Sequence, residues 1–162
     1  MTPVFQTDFG LGSGNCFAAC VASLMDLPLD AVPNFSVADE DWWFKSYIGW
    51  VAERGFQGMG ARLPEEADRL PPTGYYCILG IQSPNFPGAL HAVIGERTEG
   101  GWKIVHDPLG ERAKPIVGEP TDAQWIARIV DGEPPYAWTA RVLENGEPAW
   151  RPSETREERR TA

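Results

Sequence analysis

Apolar positions recur with a helical period in the first third of the chain and with a strand-like period later. Phe17, Val21 and Leu24 follow i, i+4 and i+7 spacing, which predicts a helix from Cys16 to Asp26 with one buried face. Asn15 is the expected N-cap, and Pro28 and Pro33 in "DLPLDAVPNF" prevent continuation. A second helix is predicted over Asp39 to Arg54, capped by Gly55, with Trp43, Tyr47, Trp50 and Val51 as a core-facing stripe. "LPEEADRLPP" reads as a short surface helix or turn.

From residue 74 the period shortens. "GYYCILGI" is rich in strand formers. The Pro-broken loop "QSPNFPGAL" leads to "HAVIGER", the turn "TEGG" and "WKIVHDP", which together read as a hairpin. "TDAQWIARIV" fits helix or strand, and "YAWTARVLE" reads as a last strand. Helices followed by strands predict an α+β domain whose N-terminal helix packs on an antiparallel sheet. The expected domain covers residues 1–150, preceded within itself by an extended Gly-rich lead-in over 1–14. Residues 151–162, "RPSETREERRTA", are expected to form a disordered charged tail.

A 43% hydrophobic content over 162 residues suffices for one core. The 23 acidic against 14 basic residues give a net charge of −9, which argues against a nucleic-acid groove and favours a neutral or basic substrate. No apolar run reaches the roughly 18 residues of a membrane span. "MTPVFQTDFG" lacks the basic start and apolar middle of a signal peptide, so no membrane association and a cytoplasmic location are expected. Three cysteines always leave one over, which disfavours a disulfide framework. Nothing in the pattern sets an oligomeric state.

The stretch "GNCFAACVASLMDLPL" holds the candidate chemistry. Cys16 falls at the predicted helix start, where the macrodipole and unpaired N–H groups stabilise a thiolate. Gly14 permits close substrate approach, and Gly14 and Asn15 flank the place where an oxyanion would form. A nucleophilic cysteine needs a base, and the chain has two histidines. A three-residue loop from Thr98 to Gly100, with Gly100 left-handed, would pair Arg97 with Gly101 and therefore His91 with Asp107 on one face. Asp107 would then fix the imidazole tautomer. His106 alternates to the opposite face. The loop Ser83 to Leu90 enters His91 directly and is a candidate substrate wall.

Other readings of these cysteines are core packing, a metal site and a disulfide. Cys16, Cys20 and Cys77 lack the paired clusters of a zinc site, so no metal or other cofactor is called for. Helical side chains at i, i+4 seldom meet disulfide geometry. Cys20 and Cys77 read as packing.

Over residues 4–110 the sequence resembles the papain-like cysteine peptidases, most closely the C39-like group related to the bacteriocin-processing peptidases. The likeness lies in Cys at a helix start in "GNCFAACVASLMDLP", His opening a strand in "HAVIGE", and Asp-Pro closing the next in "KIVHDP". It implies a papain-like fold, with Cys16 as nucleophile, His91 as general base, Asp107 as orienting acid and Gln6 as oxyanion donor. Gln6 lies ten residues before Cys16, farther than the family's usual spacing, and the intervening "TDFGLGSG" would have to loop out. A membrane transporter accompanies many bacteriocin-processing peptidases and has no counterpart in these residues, so cleavage after a double-glycine leader is not implied.

The expected function is hydrolysis of a peptide or isopeptide amide in a peptide or protein substrate, through a Cys-His-Asp triad and a thioester. Two alternatives use the same residues differently. A thiol acyltransferase would pass the acyl group to an amine, and a catalytically silent papain-like scaffold would only bind.

Overall fold

The computed structural model describes residues 1–37 and 43–128, and the backbone of two further strands at 138–142 and 148–152. It has α1 (Cys16–Met25), α2 (Trp43–Ala52), β1 (Phe56–Arg62), β2 (Tyr76–Gln82), β3 (Leu90–Thr98), β4 (Gly101–His106), β5 (Asp122–Arg128), β6 (Trp138–Val142) and β7 (Pro148–Pro152). β1 to β5 form one antiparallel sheet in the order β1-β5-β2-β3-β4, and β6 pairs with β7. Among the described residues the architecture is α+β, with two α-helices and a five-stranded antiparallel sheet. No described helix is long and apolar enough to cross a membrane.

The first helix ends where proline punctuation places it. Asp26 adopts a left-handed conformation (φ 53°), and its N–H closes back onto Ala22 and Ser23. α2 spans only part of the predicted second helix, and the positions from 38 to 42 lie outside the described residues. β1 is an element that the apolar pattern does not announce. Its "FQGMGAR" carries two glycines where a strand would normally show apolar side chains. "TDAQWIARIV" resolves as strand β5. The expected tail at 151–162 begins inside β7, which includes Arg151 and Pro152; residues 153–162 lie outside the described residues.

The sheet is buried on both faces, and strand alternation sorts its residues between two cores. Ile78 and Ile94 face α1 and α2, where they meet Phe17, Val21, Tyr47 and Val51. Cys77, Leu79, Ile81 and Val93 face the other side with Met59 and Trp125. Phe17 anchors the start of α1 through edge-on contacts with Trp43 (5.2 Å), Tyr47 (5.1 Å) and Phe35 (6.1 Å). Burying rings this way holds α1, and the cysteine beside Phe17, against the sheet.

Gly58 sets how closely β1 approaches α2. A Cβ there would lie 2.6 Å from Ile48 Cδ1, 3.0 Å from Tyr47 Cε1 and 3.1 Å from Val51 Cγ2. Gly58→Val is expected to overpack this contact and destabilise the domain by about 1–3 kcal/mol. The check is the urea midpoint, and a midpoint equal to wild type would show that α2 yields freely.

Candidate active site

Three elements converge at one end of the sheet. α1 presents Cys16 as its first residue, β3 presents His91 as its second, and Asp107 follows the last residue of β4. His91 Nε2 donates to Asp107 Oδ1 at 2.8 Å. The same ring hydrogen-bonds Cys16, for which Nδ1 is the nitrogen left free. The Asp107 carboxylate also accepts from Leu109 N at 2.9 Å, which fixes its rotamer. The His91 and Asp107 side chains are 6% and 14% exposed, so their contact is largely screened from water.

His91 and Asp107 meet, but not as direct cross-strand partners. The β3–β4 loop has two residues, with Thr98 opposite Gly101 and Arg97 opposite Trp102. Gly101 (φ 130°), not Gly100, takes the positive-φ position. A bulge between Ile94 and Gly95 then shifts the pairing so that Ile94 faces His106. Asp107 therefore reaches His91 from beyond the strand. His106 is buried elsewhere: its Nε2 donates to Val4 O at 2.8 Å, and its ring sits edge-on to Phe5.

The electrostatics separate the three cysteines. Burial opposes a charged Cys16, but hydrogen bonds from His91 and from the Ala92 and Phe17 backbones, with the imidazolium charge, outweigh it; the thiol is lowered. For His91, burial pulls down, while the bonds to Asp107 and Cys16 and their negative charges push it up to about 9. Burial, followed by the charges of Cys16 and Asp107, raises the Cys20 thiol. Burial pushes Cys77 up to about 12. All three are free thiols, and Cys20 and Cys77 are core residues as their spacing predicts. Among the described residues, no group of three His, Cys, Asp or Glu side chains converges on a possible metal position.

Gln6 comes to the same place along the extended lead-in. Val4 N bonds Ser23 Oγ at 2.9 Å and Gln6 N bonds Pro108 O at 3.0 Å, so the segment is tied to α1 and to the residue after Asp107. Its side chain is buried, and Nε2 donates to Asp8 O at 2.9 Å.

Cys16, His91 and Gln6 open into a cleft of about 200 Å³. Gly14 and Leu90 line it, as does much of the Ser83–Leu90 loop. Asn15 does not line it. Nor does its side chain cap α1; Oδ1 instead accepts from Thr7 N and Asp8 N, both at 3.0 Å. Phe9, Leu11, Ser36 and Leu109 add to the walls, and among the described residues that line it there is no Asp, Glu, Lys or Arg. These four sit on loops or short turns, where no hydrophobic period marks them.

A cysteine at a helix start whose thiol is lowered, an imidazole held by a carboxylate, and a glutamine lining the same cleft are groups that can together perform acyl transfer. Comparisons of the chain with protein-family models, with curated proteins and with solved structures give no match.

Proposed function

We propose that this chain is a papain-like thiol hydrolase that cleaves a peptide or isopeptide amide bond. The observation that carries the reading is the continuous relay from Cys16 through the His91 ring to Asp107 Oδ1, 2.8 Å from Nε2. A core cysteine and a merely satisfied strand histidine would have no reason to share it.

In the proposed reaction, the Cys16 proton resides on His91 Nδ1 and the thiolate attacks the amide carbonyl. The S–C bond forms as the carbonyl electrons move onto oxygen. That oxyanion is met by the Cys16 N–H, which has no intrahelical partner at the first helical position, and by Gln6 Nε2. The C–N bond breaks as His91 gives its proton to the departing amine. Water then attacks the thioester, losing a proton to His91, and the C–S bond breaks to release a carboxylic acid.

The test uses p-nitrophenyl acetate as acyl donor and intact-protein mass spectrometry. Cys16 is expected to carry an acetyl group that decays in water, while Cys20 and Cys77 stay unmodified. Limiting iodoacetamide should likewise label Cys16 first. Equal, slow modification of all three thiols would sink the proposal. An adduct that persists in water and leaves only to an added amine would replace the hydrolase with an acyltransferase.

A further inference from the structure

The ten-residue separation of Gln6 from Cys16 is absorbed by a closed loop, and Asn15 is the residue that closes it. Oδ1 of Asn15 accepts from both Thr7 N and Asp8 N, Nδ2 donates to Thr7 Oγ1 at 3.0 Å, and its backbone N–H donates to Asp8 O at 3.2 Å. Within the loop, Gly14 N bonds Gly10 O at 2.8 Å, and Asp8 Oδ1 accepts from Gly10 N and Ser13 Oγ. Residues 8–14 thus fold out as a unit, and the chain on either side meets at Asn15.

The acceptor that orients Gln6 belongs to this closure. Asp8 O receives both Asn15 N–H and Gln6 Nε2, whereas Gln6 Oε1 is buried without a protein partner. The Asp8 carbonyl is therefore what fixes the amide's rotation, spending one Nε2 hydrogen and leaving the other for the cleft. We propose that Asn15 is a positioning residue: by pinning Thr7 and Asp8 to the start of α1, it holds the Gln6 amide beside the Cys16 thiol. The catalytic part of this inference rests on the hydrolase reading above; the structural part does not.

The experiment reads the two parts separately. The Gln6 side-chain NH₂ signals are assigned in ¹⁵N-labelled protein by their loss in Gln6→Ala. In Asn15→Ala they are expected to shift and to lose protection from hydrogen exchange. Acetylation of Cys16 by p-nitrophenyl acetate should fall by about 10-fold or more, against about 10²-fold for removing the donor itself in Gln6→Ala. Alkylation by iodoacetamide, which forms no oxyanion, should stay within about twofold of wild type, because the thiolate is untouched. Introduced into Gln6→Ala, the Asn15→Ala change should add almost nothing, since the group it positions is already gone.

Unmoved Gln6 amide signals in Asn15→Ala would overturn the proposal, as would acetylation losses that multiply in the double variant. If Asn15→Ala does not fold, Asn15→Asp keeps both acceptor bonds and should retain the Gln6 signals; their loss there would equally overturn it. Should Gln6→Ala leave acetylation unchanged, the oxyanion role of Gln6 fails, and the amide signals still decide whether Asn15 holds it.

Discussion

Screened against peptide and isopeptide libraries, Cys16→Ala is expected to cleave nothing above the uncatalysed background, and His91→Ala to lose about 10²–10⁴-fold of the wild-type rate. The first loss is total because alanine forms no thioester and no other described thiol can substitute. Cys20 lies one helical turn further into the core, 0% exposed, with its thiol raised by burial. Cys77 is equally buried on the opposite face of the sheet. The second loss combines two effects. Without His91 the Cys16 thiol keeps only the Ala92 and Phe17 backbone bonds against the cost of burial, so its thiolate fraction at neutral pH collapses. The departing amine also loses its proton donor. Iodoacetamide labelling of Cys16 in His91→Ala should slow for the first reason alone, and therefore by less than amide cleavage. Cleavage of the same library members by Cys16→Ala at the wild-type rate would remove the thiol from the mechanism.

Chain pattern carries this site further than it carries the fold around it. The start of α1 is legible because Phe17, Val21 and Leu24 repeat at a helical period, and the β3–β4 hairpin because its turn is flanked by strand formers. Those two features bring Cys16, His91 and Asp107 to one end of the sheet. Register is less legible. A loop shorter by one residue and a bulge beside Ile94 each change the pairing, and a bulge leaves no mark in the apolar alternation. Contact survives because Asp107 lies beyond β4, where its side chain, oriented by Leu109 N–H, reaches His91 without a ladder position.

β1 is hidden for the opposite reason. Its close approach to α2 is achieved by the absence of a side chain at Gly58, which a search for apolar residues cannot register. The wall formed by Phe9 and Leu11 depends on a loop closed by polar bonds at Asp8 and Asn15, so no period encodes it. The sequence marks Asn15 as a cap and a substrate contact, whereas its side chain makes neither contact and bonds Thr7 and Asp8 instead. The same short amide chemistry that suits an N-cap suits an Asx-type closure, and only the position of Thr7 and Asp8 decides between them.

The pH dependence should separate the thiol from the imidazole. Cys16 is lowered and His91 raised to about 9, so the thiolate–imidazolium pair fills the interval between their two values. Amide cleavage needs both charges: the thiolate to attack and the imidazolium to protonate the amine. Its rate should rise as Cys16 ionises, level off, and fall again as His91 loses its proton near pH 9. Alkylation by iodoacetamide needs the thiolate alone, so it should rise on the same acid limb and show no alkaline decline. Asp107→Asn tests what holds the upper limit. Asparagine can still accept from Leu109 N–H, but the hydrogen bond to a charged partner and the carboxylate's field, both of which raise His91, are lost, leaving only Cys16 to oppose the downward pull of burial. The alkaline limb of amide cleavage is expected to move down by about 1–3 pH units. At pH 8 that removes between about half and nearly all of the imidazolium and, with it, support of the thiolate, so cleavage should drop by about 2-fold to 10²-fold according to the size of the shift. An Asp107→Asn profile whose alkaline limb stays near 9 would mean that Cys16 alone keeps the proton on His91, and Asp107 would then be a strut for the loop after β4 with no part in the relay.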